Sequence, residues 1–427
     1  MQLVAIVFVV LLILKVPLAF TIGISSLSFF FMTPDVSWIT PVQRMVSTTQ
    51  SFPLLAVPFF VLAGNLMNAT GITRRLIDFS TILTGHMRGG LAHVSCVLST
   101  LMGGISGSAC ADAAMEARIL GPDMVKRGYS KGFSAAVIGL TSLITATIPP
   151  GIGLILYGVT GSVSIGKLFV AGIIPGIMMM FFLMFVSSRI AKKRQYPVEN
   201  DRPPTGKEVW KGLKASIWAL IFPLILIVGI RFGIFTATEA GAFAVVYAFI
   251  IGKFVYKELT WKGFFHVVRT TLSDNGVIMF IIMCSGIFGF AITYDKVPQT
   301  MAAFIGGISQ NSYVIIFIVL LFILIAGMFM EATVNTLLLT PIFLPIVREL
   351  GVDPVHFGIL FMTLITMGGM TPPVGVTMYA TCSIMKCPVE DYVKESLPFI
   401  AVILVEIVIL VFFPQIFMWL PNLVFGK

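Results

Sequence analysis

The chain has 427 residues, 57% of them apolar and only 11% charged, against roughly 25% charged in an ordinary soluble domain. A bilayer-spanning helix takes about 20 apolar residues, so the apolar stock supplies on the order of 11 to 12 spans and excludes a soluble enzyme with a large core. The net charge of +9 does not mark a nucleic-acid binder, because the excess Lys and Arg sits in short clusters between apolar runs, where membrane proteins place cytosolic loops.

In chain order, apolar runs predict an all-α polytopic membrane protein with spans near 3–31, 53–68, 88–103, 130–160, 166–188, 215–231, 238–256, 275–293, 312–330, 356–387 and 395–420. The first run lacks a basic n-region and is too long for a signal h-region, so it reads as a span that stays. Two segments, 104–122 and 327–345, carry acids, Asn and small residues, and each ends at a Pro with a Gly six residues beyond. They are too polar for lipid, and re-entrant hairpins buried in protein accommodate such backbone. The stretch 189–214 holds Arg189, Lys192, Lys193, Arg194, Arg202, Lys207, Lys211 and Lys214 against Glu199, Asp201 and Glu208. Lys253, Lys257, Lys262 and Arg269 follow two spans later, so the loops 189–214 and 253–269 share a side, placed in the cytosol.

Shifting the chain by 223 residues brings Gly104 onto Gly327, Ala109 onto Ala332, Ile119 onto Ile342, Pro122 onto Pro345, Gly128 onto Gly351 and Pro149-Pro150 onto Pro372-Pro373, with Asp112 on Asn335. Gly and Pro dominate these identities, and they mark backbone geometry rather than apolar composition. The chain therefore divides into a first repeat, 1–190, a basic loop, 191–214, and a second repeat, 215–427.

The paired prolines interrupt long apolar segments. Proline has no N–H, so Pro149-Pro150 leave the carbonyls of Thr145 and Ala146 without helical donors, and Pro372-Pro373 do the same to Gly368 and Gly369. Broken helices at matching positions in two repeats are what secondary transporters use to coordinate cations at the midplane. In the first hairpin, Ser108, Asp112 and Glu116 lie at i, i+4 and i+8 on one helical face; Glu331 and Asn335 occupy the equivalent face of the second. Ionisable groups at such depth point to function. Other features are silent: Cys96, Cys110, Cys284, Cys382 and Cys387 include no Cys-x-x-Cys, and Gly161–Lys167 is followed by Leu168 where a phosphate loop needs Ser or Thr. Lys15 beside Pro17 reads as a snorkelling or subunit contact, and Glu239 as a helix cap.

Together, Gly128-Tyr129, Ile148-Pro149-Pro150, Thr371-Pro372-Pro373-Val374-Gly375, Thr238-Glu239-Ala240-Gly241-Ala242 and Val57-Pro58-Phe59-Phe60-Val61-Leu62-Ala63-Gly64-Asn65-Leu66-Met67, with Gly71-Ile72-Thr73, resemble the large membrane subunit of the tripartite ATP-independent periplasmic (TRAP) transporters over essentially the whole chain. The resemblance implies inverted repeats, an elevator-type movement and sodium symport of organic acids. It also implies a bacterial inner-membrane location, a separate small four-helix membrane subunit and a soluble periplasmic binding protein. The look is closest to the sialic-acid (N-acetylneuraminate) branch, with C4-dicarboxylates, other carboxylates, a carrier that works alone and a channel as alternatives.

Two sodium sites are expected. A buried sodium needs about five or six oxygens, more than one segment offers, so hairpin and break have to meet. Site one draws on Gly104, Ser106, Thr145 and Ile148, and site two on Gly327, Gly368 and Thr371; Ser108, Asp112 and Asn335 contact substrate, hold the hairpin tips or reach the ion. The span count places six crossings between the hairpins, which makes the repeats parallel rather than inverted. One span counted in excess, or a surface helix at 259–270 or 70–86, restores the inversion.

Overall fold

The computed structural model describes residues 1–309 and 311–426, and every regular element among them is helical. The expected first span is instead two short helices, α1 (Gln2–Ile13) and α2 (Leu18–Met32), packed on each other. Pro17 offers no N–H and disfavours helix at the residue before it, and Lys15 turns the chain at φ 58°. Then come α3 (Ile39–Thr49), α4 (Ala56–Ala69) and α5 (Ile72–Thr84).

The first hairpin is built from α6 (Gly90–Gly103) and α7 (Ala109–Lys126). Ser99 bonds Asp112 and Ser95 bonds Glu116, a pairing in which one index falls as the other rises, so the arms are antiparallel. The run 88–103 is thus the first arm of the hairpin and not a span, and the hairpin is longer than 104–122. After it, α8 (Lys131–Thr147) and α9 (Ile152–Gly161) form one apolar segment bent by 44° at the first Pro-Pro pair. Next are α10 (Ile165–Arg194), α11 (Gly206–Arg231), α12 (Ala237–Ile250) and α13 (Trp261–Tyr294). At 34 residues, α13 runs for about 50 Å, well past a hydrocarbon core of about 30 Å. It therefore absorbs both the surface segment 259–270 and the span 275–293.

The second repeat follows with α14 (Val297–Ile308), α15 (Ser312–Phe329), α16 (Ala332–Glu349), α17 (Pro354–Gly368), α18 (Val376–Met385), α19 (Val389–Phe412) and α20 (Gln415–Phe425). The expected last span, 395–420, is cut between α19 and α20 at Pro414. A shift of 223 carries α7 onto α16 end for end, α8 onto the start of α17, and α5, α6, α9 and α10 onto α14, α15, α18 and α19 within a few residues. Asn335 of α16 bonds the Ala326 carbonyl of α15, and Phe343 meets Phe322, so these arms are antiparallel too.

A hairpin returns the chain to the side it entered from, which corrects the crossing count. The run 312–330 belongs to the second hairpin, and between the hairpins the segments long and apolar enough to cross are the α8–α9 pair, α10, α11, α12 with its continuation to Val255, and α13, while α14 has only 12 residues. Five such segments are an odd number, the parity that inverted repeats require. Among the described residues, seven helices are long and apolar enough to cross a membrane, and the bent α8–α9 pair makes eight.

Packing follows the repeat. The helices α7 and α18 touch across the repeat boundary, as do their counterparts α16 and α9. Each hairpin thus lies on its own repeat's broken helix and on the second half of the other's. Around this core, α4 packs on α12 and α13, while α13 also holds α2 and α3, and α5 lies against α11.

Candidate functional site

The hairpin tips and the two breaks converge on one cavity. Its lining includes Ala109, Ile152, Ala332 and Val376, the first residues of α7, α9, α16 and α18. Four helix N-termini thus border one space, each with the positive end of its dipole. Ser108, Cys110, Thr333, Thr366 and Thr377 add hydroxyl and thiol groups, and Glu331 is the one charged side chain among the described lining residues. The Thr366 hydroxyl is buried and has no partner. Helix N-termini and hydroxyl groups of this kind are able to receive a small anion without Lys or Arg.

Behind the first tip lies a buried polar ladder. Asp112 accepts hydrogen bonds from Thr145 at 2.6 Å and Ser99 at 3.1 Å, both on Oδ2, while its Oδ1 is unpartnered. Glu116 accepts from Ser99 at 2.9 Å and from Ser95, whose hydroxyl also meets Thr141 at 2.8 Å. Thr145 further binds the Ser99 carbonyl at 2.9 Å. Asp112 therefore pins α7 to α6 and α8 and does not line the cavity. Arg118, the obvious structural partner for Glu116, is exposed and on another face. Sequence reading singled out the acids and Thr145 but missed Ser95, Ser99 and Thr141, whose i, i+4 spacing on α6 and α8 was the available signal.

The second repeat pins its tip differently. Asn335 donates to the carbonyls of Met330 at 2.9 Å and Ala326 at 3.2 Å, leaving Oδ1 unpartnered. Ser108 and Glu331 are equivalent under the 223-residue shift, and each caps its helix: Ser108 accepts from the Ala111 N–H, and Glu331 from the Thr333 N–H at 2.8 Å. Ser108 lines the cavity, while Asp112 and Asn335 stand behind the tips as braces.

Hairpin and break meet in both repeats. In the second, Gly327 and Gly368 are in backbone contact: a Cβ on Gly368 would lie 2.5 Å from the Gly327 carbonyl carbon. The Gly375 N–H also donates to the Met328 carbonyl at 2.9 Å. Gly327, Gly368 and Thr371 are thus brought together. In the first, a Cβ on Gly103 would strike Ile148, Gly107 approaches the Pro150 carbonyl, and the Ile152 N–H donates to the Gly107 carbonyl at 3.3 Å. Thr145 and Ile148 accordingly meet the hairpin at Ser99 and Gly103. Gly104 faces Pro223 of α11, and the Ser106 backbone lies beside Gly64 of α4.

One expectation needs correction. The carbonyls of Gly368 and Gly369 are not left without donors: Gly368 accepts from the Thr371 N–H at 3.0 Å and its hydroxyl at 2.9 Å, and Gly369 from the Thr377 N–H at 2.9 Å. The chain after Pro373 folds back and supplies new donors, with the Met378 N–H also reaching the Gly369 carbonyl at 3.3 Å, so each carbonyl accepts two hydrogen bonds. Both Pro-Pro bonds are cis. Glu239 is a cap, completing a capping box with Thr236.

The likenesses to known proteins agree with this architecture. The family described as tripartite ATP-independent periplasmic transporter, DctM component, matches residues 5–416. The sialic acid TRAP transporter large permease protein SiaM of Vibrio cholerae is 35% identical over 410 residues, covering 96% of this chain and 96% of that protein. The uncharacterized protein YgiK of Salmonella typhimurium is 38% identical over 97% of this chain and 96% of its own. Among solved structures, the Alcanivorax borkumensis YdaH transporter, whose crystal structure is described as having an unusual topology, superimposes with a TM-score of 0.59 at 14% identity over 87% of each chain, a likeness of fold. This chain is a membrane transporter permease, not an enzyme, and it belongs to the DctM-component family of the TRAP transporters.

Proposed function

We propose that this chain is the transport subunit of a sodium-coupled importer of organic acids, with sialic acid as its substrate, residing in the bacterial inner membrane with its 189–214 and 253–269 loops in the cytosol. The observation that carries the reading is the convergence of four helix N-termini on one cavity between two inverted hairpins. Such a space suits a carboxylate, and inverted repeats around a fixed site provide alternating access. The likeness to SiaM supports sialic acid. A C4-dicarboxylate, as in the name of the Rhodobacter capsulatus relative, or another carboxylate is the alternative substrate.

Sodium is placed at two sites. One uses Thr145 and Ile148 with the first tip around Gly104 and Ser106; the other uses Gly327, Gly368 and Thr371. Hard cations prefer the neutral carbonyl and hydroxyl oxygens found there. Replacing Thr371 by alanine removes the hydroxyl that holds the Gly368 carbonyl. A net hydrogen bond is worth about 1 kcal/mol, so the sodium half-saturation concentration is expected to rise roughly fivefold while the maximal rate changes little. Uptake measured against sodium concentration checks this; an unchanged sodium response removes Thr371 from the site.

The partners are a small four-helix membrane subunit, which braces the fixed helices, and a periplasmic binding protein that delivers substrate. Reconstitution into liposomes tests the whole reading. Sialic acid uptake is expected with all three proteins and is expected to be lost when either partner is left out. Full transport by the isolated chain would identify a lone carrier, and solute flux without an ion gradient a channel.

A further inference from the structure

The two hairpins offer the cavity different caps at the same position. Under the 223-residue shift Ser108 and Glu331 coincide, so the first repeat presents a neutral hydroxyl where the second presents a carboxylate. Both oxygens of Glu331 already act as acceptors, Oε2 from the Thr333 N–H at 2.8 Å and Oε1 from the Thr333 hydroxyl at 2.9 Å. Each keeps lone-pair capacity, and the residue lines the cavity. No Lys, Arg or His stands among the described lining residues to neutralise it. The N-termini of α7, α9 and α18 line the same space, as does Thr366, whose hydroxyl is buried and unpartnered.

A substrate carboxylate placed among the N-termini finds donors. A second carboxylate beside Glu331 meets like charge, in a site shielded from water where repulsion between like charges is weakly screened. A hydroxyl at that end instead donates to Glu331 and satisfies both groups.

We propose that Glu331 is a specificity-determining residue that fits this cavity to monocarboxylates bearing hydroxyl donors, the sugar-acid class, and turns dicarboxylates away. The inference rests on the cavity being the substrate site, as proposed above.

Cys110 supplies a direct readout, because it lines the cavity while the other four cysteines are buried. The full-length chain is labelled with a maleimide in sodium buffer, and modification of Cys110 is followed by mass spectrometry in the presence of N-acetylneuraminate, D-gluconate or succinate. The two sugar acids are expected to protect Cys110 at concentrations about tenfold or more below succinate, the scale of a like-charge penalty. Glu331→Gln, which keeps the size of the side chain and its cap to Thr333, is expected to bring the two classes to within about threefold of each other, and Glu331→Asp to keep their order. Thr366→Val is expected to weaken protection by all acids alike.

Equal protection by succinate and gluconate in the unaltered chain overturns the inference, whether or not the variants accumulate. So does a preference that survives Glu331→Gln, or a variant whose only change is in sodium dependence, which would make Glu331 a cation ligand. If no acid protects Cys110, the cavity is not the substrate site and the underlying reading falls with the inference. Protection without preference removes the role of Glu331 alone.

Discussion

Replacing Gly368 by alanine is expected to cut transport by roughly tenfold to a hundredfold while leaving membrane insertion intact. A Cβ at Gly368 would lie 2.5 Å from the carbonyl carbon of Gly327, 2.6 Å from its Cα and 2.7 Å from the Leu324 carbonyl oxygen. All three atoms are backbone, so no side chain can rotate away, and the second hairpin must lift off the second break. Overpacking of this kind costs about 1–3 kcal/mol or more, which sets the scale of the loss. Neighbouring Gly369 is the control. Its Cβ would meet the Thr366 carbonyl at 3.3 Å and otherwise only ordinary contacts, so Gly369→Ala is expected to retain most of the uptake. Initial uptake rates together with elution of the purified variants on size-exclusion chromatography separate loss of function from loss of protein. Equal activity of the two variants would show that close contact between hairpin and break is unnecessary.

Changing Pro372 and Pro373 together to alanine is expected to abolish both transport and sodium dependence, with normal insertion. The new N–H groups at 372 and 373 become donors to the Gly368 and Gly369 carbonyls four residues back, and α17 continues through the break. These donors compete with those from Thr371 and Thr377 that hold the carbonyls now. The folded-back turn that now holds these carbonyls is then lost, and the N-terminus of α18 is drawn away from the cavity. Losing one of four helix ends and a cation site together is expected to lower uptake by about a hundredfold or more, the scale of 3 kcal/mol. A double variant that transports with unchanged sodium dependence would show that the broken helices are only kinks.

Much of the architecture is legible in the sequence because Gly and Pro record backbone geometry directly. The coincidence of Gly104 with Gly327 and of Pro149-Pro150 with Pro372-Pro373 gives the repeat, and the structure extends the same shift from α5 through α10 onto α14 through α19. Hydropathy misplaces the hairpins because it reports burial from water and not direction. The arms α6 and α15 are as apolar as spans, and only the pairings of Ser95 with Glu116 and of Asn335 with the Ala326 carbonyl reveal that the chain turns back. That single misreading of direction produced the even count of crossings. Breaks at Pro17 and Pro414 are likewise hidden inside continuous apolar runs.

At the site, Asp112, Asn335 and Ser108 are found by their helical spacing, but their division of labour is not. Whether such a residue faces a cavity or braces a tip depends on contacts with segments distant in sequence, as Asp112 with Thr145 illustrates. The carbonyl partners at the second break were invisible for a related reason. They come from Thr371 and Thr377 on the chain that follows the prolines, once it has folded back.

The most direct measurement is uptake of radiolabelled N-acetylneuraminate into liposomes containing this chain and its small membrane subunit, with the binding protein outside. An inward sodium gradient is expected to drive accumulation above the external concentration, without response to ATP. Equal uptake with potassium on both sides and no sodium would contradict the account.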